Sequence, residues 1–283
     1  MNFRWLRSGR VVCGAALVLV VALSAMLAPL LAPHDPGEQD LLSILLPPAW
    51  MANGDPSFPL GTDSLGRCVL SRLLFGARTA LAVAFLSALG AGVLGTILAH
   101  AAGYVGGCTD WLIGRAVDIW MSFPPVVLAL ILMVGLGTGT DKVILAIILV
   151  DWTRFCRVLR SEVMTVSRRD YVSAARLIGY SHWQTVTREV LPATLPLIIT
   201  LVSLEMGIAV VVEAILSFVG LGVGANQPAW GQMIADARQN VASSPSGLLL
   251  PMLAIFLCVA GFNLLGDGLR RTLDVRQTAI RGA

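Results

Sequence analysis

Six runs of apolar residues decide what this chain can fold into. They cover residues 11–31, 80–102, 116–136, 143–159, 195–218 and 248–265. Crossing about 30 Å of hydrocarbon takes roughly 20 residues of helix. Each run is therefore a candidate membrane span, the fourth being the shortest and carrying Asp151. The runs are continuous rather than alternating with period two, which excludes a β-barrel. Composition agrees: 56% of the 283 residues are hydrophobic and 13% charged, against roughly 25% charged in soluble domains. A water-soluble body of this size needs more polar surface than that. The expected architecture is an all-α membrane protein, a polytopic bundle of six transmembrane helices.

Within the second run, "LGAGVLGT" (residues 89–96) groups Gly90, Gly92 and Gly95, a pattern that lets a neighbouring helix approach closely. The basic residues set an orientation. With the N-terminus inside, fifteen of twenty fall on or near the cytoplasmic side, among them Arg4, Arg7, Arg154, Arg157, Arg160, Arg271, Arg276 and Arg281. Arg67, Arg72, Arg78, Lys142 and Arg238 fall outside. This is the positive-inside bias, and it explains the sequence pI of about 8.7 without a nucleic-acid partner. The first run exceeds the 7–15-residue apolar core of a cleavable signal, so it reads as an uncleaved anchor. The five cysteines and three histidines are scattered, which suggests neither a disulfide framework nor a metal site.

The chain divides into an anchor helix with an external segment, residues 1–79, and a five-span core, residues 80–283, with a cytoplasmic loop at 161–193. The external segment is rich in Pro, Gly and Asp and reads as turns. It then becomes "SLGRCVLSRLLFGARTAL", predicted as a membrane-surface helix with Arg67, Arg72 and Arg78 on its polar side. In the loop after the fifth run, Trp230 is expected at the membrane interface.

No phosphate-binding loop is present, since the single lysine, Lys142, is followed by valine. No nucleophile motif occurs either. Uphill movement of a solute would need an ion gradient or a separate subunit. Charges inside spans mark functional candidates because each is expensive in hydrocarbon. Asp118 has Arg115 at i−3 and Asp151 has Arg154 at i+3, so both read as local ion pairs. Glu205 has no base within a turn, and Glu213 lies about 80° around the helix from it. The two acids are expected to face a polar cavity, as candidates for a translocation path; hydrogen bonding between helices is the plainer alternative.

The loop at 168–192, "RRDYVSAARLIGYSHWQTVTREVLP", is wet and basic between two greasy runs. Asp170 is a plausible N-cap, and Val172, Ala175, Leu177 and Ile178 form a short apolar face. Gly179 ends that helix, a second starts at Ser181, and Leu191-Pro192 is expected to break it. Ala174 and Ala175 suit close approach by another protein better than a bilayer surface.

These residues resemble a family. "SAARLIGYSHWQTVTREVLP" is similar to the cytoplasmic motif of ATP-binding-cassette importer permeases, which runs Glu-Ala-Ala, three residues, Gly, nine residues, Ile, one residue, Leu-Pro. Ala174, Ala175, Gly179, Leu191 and Pro192 match; Ser173 replaces the Glu and Glu189 the Ile. "PLGTDSLGRCVLSRLLFGARTAL", "EAILSFVGLGVGANQPAWGQMI" and "FNLLGDGLRRTLDVR" resemble segments of the dipeptide/oligopeptide/nickel permeases. Cys68 stands where Asp is common, and Thr272 and Val275 depart from the usual Asp and Pro.

The resemblance implies a type I importer permease fold and the C-type transmembrane subunit of a di- or oligopeptide importer. It implies a homologous B-type permease, two cytoplasmic ATPases and an external binding protein as partners, besides membrane lipid. No cofactor is expected on this chain, ATP being used by the partners, and no catalysis. Asp170, Tyr171, Ala174, Ala175, Gly179, Leu191 and Pro192 would form the segment that couples to the ATPase, while Glu205 and Glu213 would line part of the path. The implied location is the bacterial cytoplasmic membrane with both termini inside. A nickel or metal-chelate importer is the alternative within the family; an ion-coupled carrier or a membrane-embedded enzyme lies outside it.

Overall fold

The computed structural model describes residues 9–224, 227–242 and 244–273, the last three as backbone only. Arg4, Arg7, Val275, Arg276 and Arg281, and the side chains of Arg271 and Thr272, lie outside the described residues. The elements are helices: α1 (Gly9–Met26), α2 (Ala28–Leu31), α3 (Val69–His100), α4 (Gly107–Met121), α5 (Pro125–Leu136) and α6 (Thr140–Ser167). There follow α7 (Asp170–Leu177), α8 (His182–Thr185), α9 (Leu191–Phe218), α10 (Trp230–Ala237) and α11 (Ser246–Leu273). Wide π-turns extend α3 through Ala101–Val105 and join α8 to α9 through Val186–Val190.

Four helical stretches are long and apolar enough to cross a membrane: Gly9–Met26, Val69–Val105, His182–Phe218 and Ser246–Arg270. The third expected run is not one straight span. It is broken into α4 and α5, which meet at 88°. The cause is Pro124 followed by Pro125. The residue before a proline is driven out of the helical region, and Pro124 adopts ψ 128°. The fourth run lies within α6, which is 28 residues long but carries seven charged residues, from Asp141 to Glu162. The six expected runs thus map onto four apolar helices, one bent pair and one charged helix.

Helix α3 is central. It lies against α1, α6 and α9, while α11 packs along α1 and α9. Gly95 and Gly103 on α3 allow the approach to α6. A Cβ on Gly95 would overlap Phe155 Cβ and come within 2.8 Å of the Trp152 carbonyl oxygen; one on Gly103 would come within 2.9 Å of the Arg160 carbonyl oxygen. Interdigitated side chains fill the rest, with Phe155, Cys156 and Leu159 buried beside Ala91 and Ala99.

The external segment departs from the amphipathic surface helix expected there. The helix begins at Val69 and runs directly into the membrane. Arg67 and Arg72 are buried rather than solvated. Both reach Asp63 Oδ2, from Arg67 Nε at 2.7 Å and Arg72 Nη1 at 2.6 Å, and Arg67 Nη2 also donates to Asp236 Oδ2 at 2.9 Å. Asp63 Oδ1 accepts the backbone N–H groups of Leu65 and Arg67, both at 2.9 Å. Burial works to raise the Asp63 carboxyl, but Arg67, the amides and Arg72 outweigh it and hold it below the usual carboxylate range. Removing one member of such a buried set typically costs about 3–5 kcal/mol. The four side chains therefore latch the external segment to α3 and α10. Trp230 is buried within the fold, and its Nε1 donates to the Leu73 carbonyl at 3.0 Å.

The glycines of residues 89–96 should differ sharply in tolerance. Gly95→Ala forces backbone apart and should destabilise the protein by about 1–3 kcal/mol. At Gly90 a Cβ meets only the flexible end of Ile148, so Gly90→Ala should stay within about 1 kcal/mol of the parent. Thermal unfolding of the two variants in detergent checks the contrast.

Candidate functional site

The loop between α6 and α9 folds into a double turn fixed to the membrane helices. Arg169, with extended backbone, is the N-cap of α7, and Asp170 is its first helical residue rather than its cap. An acid there still complements the positive end of the helix. The end of α7 is a full Schellman closure. Gly179 N–H donates to the Arg176 carbonyl at 3.0 Å and Tyr180 N–H to the Ala175 carbonyl at 3.1 Å. Gly179 has φ +99°, a left-handed value that side chains with a Cβ resist.

Next, α8 opens with a capping box. Ser181 Oγ accepts the Gln184 N–H at 3.3 Å, and Gln184 Oε1 accepts the Ser181 N–H at 2.9 Å. The expected break at Leu191-Pro192 does not occur. Leu191 N–H bonds to the Val186 carbonyl, and the helix continues into α9. Pro192 has no N–H to give that ladder, and it falls directly after the π-turn that closes at Leu191.

The short apolar face expected on α7 is split. Val172 is buried with Val163, Val166 and Val190 against Tyr104, and Ala175 is buried as well, but Leu177 and Ile178 are 89% and 76% exposed. Of the expected docking residues, Asp170, Tyr171, Ala174, Gly179 and Pro192 are exposed, Leu191 is half-buried and Ala175 is turned inward. Trp183, which sequence reasoning missed, is 75% exposed beside them. Arg176 stacks over Tyr104 at 5.0 Å, and the Tyr104 hydroxyl meets His182 Nδ1 at 3.2 Å, so α3 braces both short helices.

In the membrane region, Arg115 and Asp118 pair at 2.8 Å, and Asp151 and Arg154 at 3.5 Å, as their spacing predicts. Glu205, which has no base within a turn along the chain, meets Arg154 from α6 at 3.3 Å. Nothing local signals that pairing, because 51 residues separate the two. Glu213 is buried and accepts a 2.6 Å hydrogen bond from Ser217 Oγ. A cavity of about 320 Å³ lies between α5, α6, α9 and α11, lined by Asp151, Arg154, Gly207, Val211 and Asn263 among others. Neither glutamate lines it; Glu205 reaches it only through Arg154.

Family comparison gives this arrangement its place. The model described as "Binding-protein-dependent transport system inner membrane component" matches residues 91–278. A second, "N-terminal TM domain of oligopeptide transport permease C", matches residues 3–48. The chain belongs to the peptide and nickel branch of the ATP-binding-cassette importer permeases. The di/tripeptide transport system permease protein DppC of Pseudomonas aeruginosa is 38% identical over 92% of this chain and 86% of its own length. The nickel transport system permease protein NikC of Escherichia coli K12 is 36% identical over 97% of both chains. Among solved structures, an inward-facing form of the MetNI methionine transporter matches with a TM-score of 0.60. It covers 71% of this permease and 95% of that chain at 18% identity, a likeness of fold. The helical bundle and the permease family expected from the motifs are both borne out.

Gly179→Val should cost about 1–2 kcal/mol locally by backbone strain, even though nothing lies within 4 Å of the site. Membrane insertion should be unchanged, while co-purification with ATPase and transport should fall. Normal uptake by Gly179→Val would count against a docking role.

Proposed function

We propose that this permease is the C-type transmembrane subunit of an ATP-driven importer that carries di- or oligopeptides across the bacterial cytoplasmic membrane. The observation that carries the reading is the cytoplasmic double turn. It is closed at both ends by its own hydrogen bonds, keyed into the membrane helices by Val172 and Val190, and presents Leu177, Ile178 and Trp183 to water. An apolar patch on so small and rigid a base suits a groove on a protein partner. The partners are two cytoplasmic ATPases, which bind the ATP, a B-type permease and an external binding protein. Both termini lie inside.

In this reading Asp170, Tyr171, Ala174 and Gly179 form the docking ridge, Ala175 holds it to the core, and Leu191 and Pro192 start the helix that receives the motion. ATPase closure pushes the ridge, and the displacement passes through the valine cluster to α6 and α9, which carry the cavity. Peptide as cargo rests on similarity to the di/tripeptide and dipeptide relatives. Similarity to the nickel permease favours a metal-chelate cargo as the second reading.

Deleting the gene should abolish growth on dipeptides as the sole source of a required amino acid, with complementation by the intact gene. Unchanged dipeptide uptake alongside loss of nickel-dependent enzyme activity would transfer the assignment to nickel. Uptake that survives ATPase inactivation but not an uncoupler would point to a carrier.

A further inference from the structure

Two groups of ion pairs in this protein contrast. In the external latch the contacts between Asp63 and its arginines are 2.6 and 2.7 Å, the range of strong charge-assisted hydrogen bonds. In the membrane, Arg154 reaches Asp151 at 3.5 Å and Glu205 at 3.3 Å. One guanidinium is stretched between two carboxylates and holds neither tightly. Asp151 and Glu205 are 3% and 2% exposed, and Glu205 Oε1 is buried with no hydrogen-bond partner. A buried acceptor without a donor is costly.

This group is not sealed inside the protein. Asp151 and Arg154 form part of the wall of the 320 Å³ cavity, whose other lining includes Ile208, Val211, Ile215 and Val259. Asn263 lies across from them, with its Oδ1 close to Gly207. A cavity of that size accepts a small zwitterionic solute, and its apolar wall strengthens electrostatic contacts inside it. What Glu205 Oε1 lacks is a donor.

We propose that Asp151, Arg154 and Glu205 form a charge-recognition site in the permease itself, which takes the ammonium terminus of a peptide in transit. This rests on the peptide reading above. Three N–H donors on one cation complement the two carboxylates, while Arg154 swings toward the cavity it already borders. When the solute leaves, Arg154 returns between the acids, so the site releases its cargo without leaving both carboxyls short of a donor. A tight, bidentate arginine would stabilise the helices equally well but would have to be broken at each passage.

The test uses the permease with its B-type partner and ATPases in lipid nanodiscs, with the binding protein omitted so that selectivity is the membrane subunits' own. Binding of alanyl-alanine and of N-acetyl-alanyl-alanine is measured directly by titration. The parent should hold the free-amine form about tenfold more tightly than the acetylated one. Glu205→Gln should bring the two within about twofold by weakening only the free amine, with Asp151→Asn acting alike. Equal binding of both forms by the parent overturns the inference without needing any variant. So does Glu205→Gln that keeps the parent's ratio, or that weakens both forms alike as a purely structural role requires. Uptake by the complete importer, binding protein included, separates the two levels. No peptide uptake by the parent sinks the peptide reading, whereas normal uptake with no amine preference in nanodiscs sinks only this site.

Discussion

The backbone contact between α3 and α6 is the constraint on which the rest depends. Gly95 and Gly103 let the two helices meet closely enough that no side chain fits between them. Helix α3 is thereby fixed along its length, and each end does separate work. Its outer end carries Arg72, which binds the external segment and α10 through Asp63 and Asp236. Its inner end carries Tyr104, which braces α7 and α8, and His100, whose Nε2 lies 3.3 Å from Thr194 Oγ1 at the start of α9. A single rigid member therefore links the outer latch, the cavity wall and the cytoplasmic double turn.

Against that fixed member, α6 and α9 pack through Val143, Ala146 and Ile147 on Ala209, Val212 and Leu216, and the loose contact of Arg154 with Glu205 joins them beside the cavity. Desolvated charges are costly in a membrane protein, so their placement is informative. The tight pairs hold the external segment to α3 and α10, and a slack one borders the cavity. Glu213, by contrast, accepts the Ser217 hydroxyl within its own helix.

Much of this was legible in the sequence. Apolar run length located the helices, because hydrocarbon demands a fixed number of residues. Gly179 announced the turn, because the left-handed backbone there excludes most side chains. Contacts between distant segments were not legible. Arg67 and Arg72 read as a solvated face although Asp63 lies just before them, because α10 and Asp236, which complete the buried set, lie more than 160 residues away. Glu205 read as unpaired for the same reason. The bend before Pro125 was written in the sequence but hidden by hydropathy, which measures greasiness and not direction. Leu177 and Ile178 were grouped with Val172 as apolar neighbours, yet at i+5 and i+6 they stand about 140° and 120° around the helix from it, so they face outward while Val172 stays in the core.

Site-specific photo-crosslinking tests most directly the proposal that the outward apolar patch docks on an ATPase. A benzophenone amino acid placed at position 178, in membranes of cells producing the whole importer, should yield an adduct with the ATPase subunit, identified by mass spectrometry. The same probe at position 19, on the exposed side of α1, should yield none. Absence of an ATPase adduct from position 178, or equal adducts from both positions, would contradict the coupling role of the double turn.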